Sequence, residues 1–563
     1  MSTAALPQDR RRHATAVAHL GAALIVLLAV LLVALRSQPQ TPPPIAAFAP
    51  QVNQVIKQAP SNQSGTTGSG GTSGHGQGPG AGAGNGPGPG GGGNATPSPA
   101  ASGIYYNCYP GSPPRQIADP QSPPCVPNWP AGADNGGATA PGVTRDTIDI
   151  AVPNQDSSNY NNDIEYAAAQ AYVKFFNAHF NFYGRHLVLH EVAEISNSAT
   201  DQATLANDVA AIPAFASTEF TDEGGWTYAT TLASKHVIAT TGFEENPSEA
   251  QLQSYDPYLW SYEMSSDNML ATMGNWYCAE LNGHNAAHAG AQFQTSPRNL
   301  GVVVAPWDYN SYPSNGLSTL TDNLAKCGVK PMIITDSTEN WGNADVAFHT
   351  ATPPVTSVMC ICNFEYWSDM ATYANGQGYF PEWLLSSFGG TDANWSFHFG
   401  NASPAEARDA FGLTFAPRQE ALQNDPYWWA WSEGGNGSSA PRTIIDVYQV
   451  HLLYRSMLEI AAGIQMAGPH LTPQTFAAGL HRTSFPDPVT PLNAGFVDFF
   501  NGSHAMTVDA AEWWYSPAAP SPYASYGDGT GAICYIDGGR RHSINDWGGA
   551  TDRFDSGTCD TGA

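Results

Sequence analysis

Short apolar runs alternate with amphipathic stretches through most of the chain. Most of the runs lack a strict two-residue alternation, which favours strands that are covered on both faces. The stretches between the runs predict helices, as where Ile164, Ala168 and Phe175 fall on one face at helical spacing. The predicted strands are 148–153, 187–192, 209–216, 236–240, 300–305, 331–335, 355–362 and 383–387.

This alternation predicts the fold class. A second helix is predicted over 200–211 with Thr200 as its N-cap. Strands that alternate with helices imply parallel sheets built from crossover connections. The predicted strands are too many for one sheet of ordinary size, so we expect an α/β protein with two lobes.

The N-terminal part predicts a membrane anchor and a linker. Arg10, Arg11 and Arg12 precede an uncharged stretch over 14–35, which is long enough to span a bilayer. The positive-inside rule puts 1–13 in the cytoplasm and the folded domain in the extracellular or periplasmic space. A cleaved signal peptide is the alternative, although "VALRSQPQTPPP" does not resemble an Ala-x-Ala-like exit. The Pro-, Gly- and Ser-rich segment 36–103 predicts a disordered linker.

Net charge and cysteine content limit the classes of binding partner and the cellular compartments that suit this chain. The chain has 563 residues and a formal net charge of -27, which argues against a nucleic acid partner. Its 8 cysteines suit an oxidising exterior. The candidate disulfide pairs are Cys108–Cys125, Cys278–Cys327 and Cys534–Cys559. We interpret Cys360 and Cys362 as two small buried apolar side chains.

The sequence carries no short enzyme motif. A G-x-S-x-G nucleophile elbow is missing from the strand-to-helix turns, and there is no P-loop. His186 and His190 lie four apart beside Glu191, but the run is a predicted strand, on which such residues do not reach one metal ion. We therefore expect no catalytic residues, no metal site and no cofactor.

Polar side chains cluster after the predicted strands. In open α/β sheets, ligands bind outside the carboxyl ends of the strands. The candidate ligand-binding residues are Gln155, Asn159, Tyr160, Ser217, Thr218, Thr241, Gly242, Tyr312, Glu365, Tyr366 and Asp392. Hydroxyl groups and helix N-termini suit a carboxylate, acidic side chains suit an ammonium group, and tyrosines can line an apolar face. The pattern predicts a site for a small polar molecule.

Three stretches carry a resemblance to a known family. "FNAHFNFYGRHLVLHEV", "ATYANGQGYFPEWLLSSFGG" and "AAGIQMAGPHLTPQTFAAGL" resemble segments of type I solute-binding proteins. The similarity covers about 141–517 and is strongest to the leucine/isoleucine/valine-binding branch, which serves ABC transporters. It implies two Rossmann-like lobes that are joined by crossing hinge strands. The expected segments are a Cys-containing extension 104–141, lobe 1 at 142–262, lobe 2 at 263–400, a return to lobe 1 at 401–480, and the completion of lobe 2 with a disulfide-containing tail at 481–563.

The resemblance also implies roles for individual residues. It assigns Ser217 and Thr218 to the ligand carboxylate, Thr241 and Gly242 to a loop that adds a backbone donor, and Tyr312, Glu365 and Asp392 to the second lobe's side of the site. The expected function is that of a membrane-tethered protein that closes on an amino acid, an amide or a related ligand and delivers it to an ABC permease.

Two other functions remain open from the sequence. One is an exported hydrolase that uses Glu365 and Asp392 as its acid and base, because paired carboxylates leave no short motif. The other is a surface receptor that senses a ligand without transporting it. The loop "TTGFEENPSEAQ" lacks the small-residue run of the family, which puts an amino-acid ligand in doubt. The apparent anchor and the long Gly-rich tether also depart from the family pattern.

Overall fold

The computed structural model describes part of the chain. The described residues are 108–110, 114–155, 162–194, 196, 198–219, 225–242, 245–305, 314–336, 341–399, 402–418, 425–437, 444–482, 499, 502–521, 529–548 and 559–561. The predicted anchor at 14–35 and linker at 36–103 lie outside them. Among the helices of the described residues, none is both long and apolar enough to cross a membrane.

Strands and helices alternate through the described chain. The strands are β1 Thr147–Gln155, β2 His186–Glu194, β3 Ala216–Ser217, β4 Ile238–Thr241, β5 Leu259–Ser261, β6 Leu300–Val304, β7 Met332–Thr335, β8 Ser357–Ile361, β9 Glu382–Leu385, β10 Ala410–Thr414, β11 Asp509–Pro520, β12 Thr530–Tyr535 and β13 Arg541–Ser543. The helices are α1 Asn162–His179, α2 Ala199–Ala211, α3 Trp226–Ser234, α4 Glu249–Gln253, α5 Ser266–Trp276, α6 Ser314–Lys326, α7 Trp341–Thr350, α8 Phe364–Gln377, α9 Asn394–Phe399, α10 Pro404–Ala407, α11 Pro426–Trp431, α12 Ile444–Ala467 and α13 Pro473–His481.

The first sheet is parallel throughout its described strands. Its order is β2-β1-β3-β4-β5, and each neighbouring pair runs in the same direction. The strand order reverses beside β1, so that a crevice opens outside the carboxyl ends of β1 and β3. Helix α12 packs onto the core of this lobe, where Val450, Leu453 and Met457 are buried with Ile148 and Ile150.

The second sheet is mixed. Its order is β12-β11-β10-β9-β8-β6-β7, with β13 also paired to β11. Strands β6 to β10 are parallel, whereas β11 runs antiparallel to β10, β12 and β13. The prediction of an α/β protein with two sheets is confirmed. The expectation of parallel sheets is wrong for the C-terminal strands, which return to the second sheet in the opposite direction.

Two crossing segments run side by side between the sheets. Ser261, at the end of β5, pairs with Ala505, and Met506 N donates to Ser261 O at 2.8 Å. One segment continues through Glu263 into α5, and the other continues to Asp509 at the start of β11. The resemblance led us to expect crossing strands of this kind.

The region around α2 differs from its prediction. The predicted strand 209–216 is wrong over most of its length, because Leu205, Ala206 and Val209 are buried along one face of the helix. Ser198, and not Thr200, is the N-cap, since its hydroxyl accepts from Asp201 N at 3.2 Å. The other predicted strands correspond to β1, β2, β4 and β6 to β9.

The division of the chain into lobe segments stays a prediction. Within the expected return to lobe 1 at 401–480, β10 lies in the second sheet and α12 packs onto the first lobe. The described part of the extension 104–141 also contacts the first lobe, as where Tyr454 Oη donates to Asp119 Oδ2 at 2.8 Å.

All eight cysteines are paired. The three predicted disulfides are present, and Cys360 is bonded to Cys362. The interpretation of Cys360 and Cys362 as two free apolar side chains is therefore wrong. Residues two apart on a strand point to the same face, and their Cα atoms lie 5.3 Å apart, within the usual range for a disulfide.

Candidate functional site

Hydroxyl groups follow two central strands of the first sheet. Thr218 and Thr241 are buried at the carboxyl ends of β3 and β4. Thr241 Oγ1 donates to Glu245 at 3.2 Å, whereas Thr218 Oγ1 has no hydrogen-bond partner among the described residues. Gly242 lies against Tyr262, and a Cβ atom there would lie 2.3 Å from the ring. Glycine at this position therefore lets the tyrosine ring pack against the loop.

Ser217 has a different environment from Thr218. Its hydroxyl is 2.7 Å from Tyr228 Oη of α3, and it donates to the Thr218 carbonyl at 3.0 Å. Successive strand residues point to opposite faces of a sheet, so the two side chains do not face the same way. The ligand role of Ser217 stays a prediction, and Thr218 has the free hydrogen-bonding capacity.

A buried charged cluster continues from Thr218. Both carboxylate oxygens of Glu219 accept from Tyr262 Oη, at 2.6 and 2.7 Å. Arg455, from α12, lies over the Tyr262 ring at 4.9 Å and donates to the Tyr262 carbonyl at 3.0 Å. Arg455 Nη1 is also 3.4 Å from Glu263 Oε1. We call Glu219, Tyr262, Glu263 and Arg455 the cleft cluster.

The carboxyl groups near this cluster bind protons more tightly than exposed ones. Burial raises the pKa of Glu219 well above its usual range, and the negative charge of Glu245 adds to the effect. Burial also raises the pKa of Glu263 to about 7, although Arg455 opposes the shift. Burial likewise raises the pKa of Glu459 on α12. Acidic groups outnumber the single arginine here, so a positively charged guest would stabilise their ionised forms and lower these pKa values.

Several buried atoms of this region have no partner among the described residues. They are Thr218 Oγ1, both side-chain polar atoms of Asn246, Glu263 Oε2, Arg455 Nε and both carboxylate oxygens of Glu459. An unsatisfied buried polar group costs about 1–3 kcal/mol, and native interiors hold few of them. Their concentration at the carboxyl ends of β3 to β5 gives this region donors and acceptors for a polar molecule.

The second lobe contributes Asp392, which follows β9. Its Oδ2 accepts from Ser387 Oγ at 2.6 Å, and the side chain is buried. Burial raises the pKa of Asp392, and the positive charge of Arg455 opposes the shift. The negative charge of Asp392 in turn raises the pKa of Glu263. Asp392 therefore interacts electrostatically with Glu263 and Arg455 of the cleft cluster.

Of the remaining candidate residues, only Tyr366 and Glu365 have described side chains. Tyr366, in the first turn of α8, donates to Asp336 Oδ2 at 3.0 Å and packs in the second lobe's core. Glu365 is half-buried in the same turn. Asn159, Tyr160 and Tyr312 lie outside the described residues, as does the side chain of Gln155, whose backbone ends β1. Their part in a site stays a prediction.

The sequence analysis missed Tyr262, Glu263 and Arg455. One signal was present, because Arg455 is the only Lys or Arg in the largely apolar α12. His451, Arg455 and Glu459 recur every four residues, which puts them on one face of that helix. Charged residues in such a register on a buried helix indicate a polar site that the helix helps to line.

Comparisons with known proteins identify solved structures with a similar fold. A scan of protein families and a search of curated proteins found no match. A solved leucine-, isoleucine-, valine-, threonine- and alanine-binding protein from Brucella ovis, in a closed conformation, is similar with a TM-score of 0.50 and 11% identity, covering 71% of this chain and 95% of that chain. A fatty acid ABC transporter substrate-binding protein from Thermomonospora curvata is similar with a TM-score of 0.50 and 13% identity, covering 76% and 100%.

These likenesses agree with the α/β architecture of two sheets. At such low identity they bear on architecture alone. The chain therefore has the type I periplasmic binding protein fold.

Proposed function

We propose that this chain is a membrane-tethered extracytoplasmic solute-binding protein that closes its lobes on a small polar ligand and delivers it to an ABC permease. One observation carries the proposal. Arg455 acts electrostatically both on Glu263 of the cleft cluster in the first lobe and on Asp392 of the second lobe. The buried polar atoms around them have spare hydrogen-bonding capacity.

The charges favour a ligand with an amine group. Glu219, Glu263 and Asp392 each interact electrostatically with the same arginine, so an ammonium group would stabilise the ionised forms of the carboxyl groups in excess of it. The hydroxyl of Thr218, which has no partner among the described residues, would donate to the ligand's carbonyl or carboxylate oxygen. An amino acid, an amino-acid amide or a related amine has this combination of groups.

The mechanism follows from contacts that both lobes make. A ligand that touches Thr218 and Asp392 together gains its full binding energy only when the lobes are closed. Ligand therefore shifts the population toward the closed form, which a permease can distinguish from the open one. Glu263 lies in a crossing segment, so the site and the hinge share a residue.

The tether and the location are supported by the sequence and the disulfides. The apolar stretch 14–35 and the linker 36–103 would let the domain stand off from the membrane surface. Four disulfides suit an oxidising compartment outside the cytoplasm.

A thermal-shift screen of the full chain in detergent tests the ligand proposal. The library pairs amino acids, amides and amines with acids of the same carbon skeleton that lack the amine. We expect an amine-bearing compound to raise Tm, since a ligand that binds only the folded state stabilises it. No shift with any amine, or equal shifts with the amine-free analogues, would contradict the proposal.

The recovered ligand separates binding from catalysis. Mass spectrometry should return it chemically unchanged after long incubation, whereas a hydrolysed product would support the exported hydrolase. Uptake of the labelled ligand by cells, compared with cells that lack this chain, then separates transport from sensing.

A further inference from the structure

Three metal-ligating side chains meet at the edge of the first sheet, outside the cleft cluster. Among the described residues, the ligand atoms of Asp256, His481 and His504 all lie within 4.8 Å of one another. Asp256 precedes β5, whereas the cleft residue Glu263 follows it. These three residues come from the α4–β5 loop, the end of α13 and the segment that crosses to β11.

The hydrogen bonds fix which nitrogen of each histidine faces the cluster. His481 Nδ1 is 2.8 Å from Phe499 O, and His504 Nδ1 is 3.1 Å from Gly502 O. A carbonyl oxygen only accepts, so each Nδ1 carries a proton and donates it. That arrangement leaves Nε2 as the ligating atom, and it is the outer-shell pattern of metal-bound histidines in proteins.

Asp256 completes the set on the solvent side. Its Oδ1 lies 2.9 Å from His504 Nε2, and its side chain is 55% exposed. A proton occupies this contact in the metal-free protein, and a metal ion would replace it between the same two atoms. The exposed side chain can move toward His481 without disturbing the core, which leaves room for a water molecule as a fourth ligand.

We propose that Asp256 Oδ1, His481 Nε2 and His504 Nε2 bind a zinc ion. Two imidazole nitrogens and one carboxylate oxygen form a common zinc ligand set, whereas Mg²⁺ and Ca²⁺ favour all-oxygen sets. Tetrahedral zinc holds its nitrogen and oxygen ligands about 3.3 Å apart, given bonds of about 2.0–2.2 Å. The three ligand atoms now lie within 4.8 Å of one another, so a bound zinc ion would draw all three closer together.

The surroundings hold the two imidazoles in place. Trp260 of β5 stacks on His504, with ring centroids 4.6 Å apart, and lies 5.2 Å from His481. Trp260 and His504 immediately precede Ser261 and Ala505, the paired residues of the two crossing segments. Zinc at this point would tie the first-lobe ends of both crossing segments to α13.

The sequence could not show this site. The expectation of no metal site rested on short motifs, and these ligands come from positions 256, 481 and 504. His186 and His190, the pair that resembled a motif, lie on β2, where His190 Nε2 is 2.9 Å from Asp149 Oδ1.

Zinc titration of the tag-free full chain tests the proposal. After removal of metal with a chelator, calorimetry should show one zinc site, and zinc but not Mg²⁺ should raise Tm. Co²⁺ in place of zinc should give the visible absorption of a tetrahedral site. We expect His481→Ala to weaken zinc binding by more than the roughly 10–100-fold that loss of an outer-shell partner costs.

Two further variants keep the test decisive. Asp256→Asn changes an exposed side chain and should also weaken zinc binding, whereas a variant of the buried His504 could fail to fold. His349→Ala is the matched control, because this histidine stacks on Tyr379 in the second lobe. Equal zinc affinity in wild type, His481→Ala and Asp256→Asn, or no zinc binding by wild type at micromolar concentration, would overturn the proposal.

Discussion

Two buried arginine–glutamate contacts in this protein differ in how completely they are satisfied. In the second lobe, Arg298 donates to Glu382 through Nε at 2.8 Å and Nη2 at 2.9 Å. Glu382 also accepts from Ser357 Oγ at 2.6 Å and from His288 N at 3.1 Å. The pair is bidentate, and other groups occupy the remaining acceptor positions of the carboxylate.

The contact in the cleft is incomplete. Arg455 and Glu263 are as deeply buried, but they meet at 3.4 Å through one atom each. Arg455 Nε and Glu263 Oε2 have no partner among the described residues. Both pairs bear the desolvation cost of burial, and only the Arg298 pair offsets it with a full set of hydrogen bonds. The Arg298 pair has the hydrogen bonds of a structural ion pair, whereas the incomplete Arg455 contact is the one that we propose for ligand binding.

Substitution in the bidentate Arg298–Glu382 pair should cause the greatest loss of folding stability. Arg298→Met should destabilise the protein by about 3–5 kcal/mol, because it leaves Glu382 buried without its cation. Ligand affinity should not change. Urea unfolding measures the loss, with Arg408→Met as the control, since Arg408 is 57% exposed and its contact with Asp409 should contribute less than about 1 kcal/mol. Equal losses in both variants would remove the contrast between the pairs.

Arg455→Met should act mainly on binding. We expect a loss of about 2–5 kcal/mol in ligand affinity, because Arg455 Nε, which has no partner among the described residues, could no longer donate to the ligand. The loss of folding stability should be smaller than for Arg298→Met, because the neighbouring acids have raised pKa values and can take up protons. Calorimetric titration with the ligand found in the screen measures the first effect, and unchanged affinity would place the site elsewhere.

The pH dependence of stability tests Glu263. Burial raises its folded pKa to about 7 from an unfolded value of 4.5, so its stabilising contribution is complete below about pH 4.5 and is lost as pH rises through 7. Glu263→Gln removes this contribution, and between pH 5 and 8 the wild type should lose about 2–3 kcal/mol relative to the variant. Unfolding curves that stay parallel across this range would show that the side chain does not titrate in it.

Substitutions of the adjacent residues Ser217 and Thr218 should have the smallest effects, and they distinguish the roles of the two hydroxyl groups. Ser217→Ala removes a partner of Tyr228 and should cost about 1 kcal/mol of stability. Thr218→Val keeps the shape, should leave stability within about 0.5 kcal/mol, and should weaken ligand binding by about 1 kcal/mol. Chemical unfolding and ligand titration on both variants check the contrast, and the reverse pattern would assign the ligand contact to Ser217.

Local sequence patterns were enough to locate individual strands and helices of the fold. Apolar runs located β1, β2 and β4, and the spacing of Ile164, Ala168 and Phe175 located α1, because burial on one face depends on local periodicity. The sequence also located polar residues such as Thr218 after the strands, since the end of an apolar run marks the end of a strand.

The tertiary structure decided which of those residues meet. Arg455 reaches Tyr262 and Glu263 because α12 packs back onto the first lobe, and no local pattern encodes that return. The antiparallel β11 and the approach of His481 to His504 have the same origin. Hydrogen bonding and electrostatics act over a few ångströms of space, whereas the residues they join here lie far apart in the chain, so only the packed fold determines the partners.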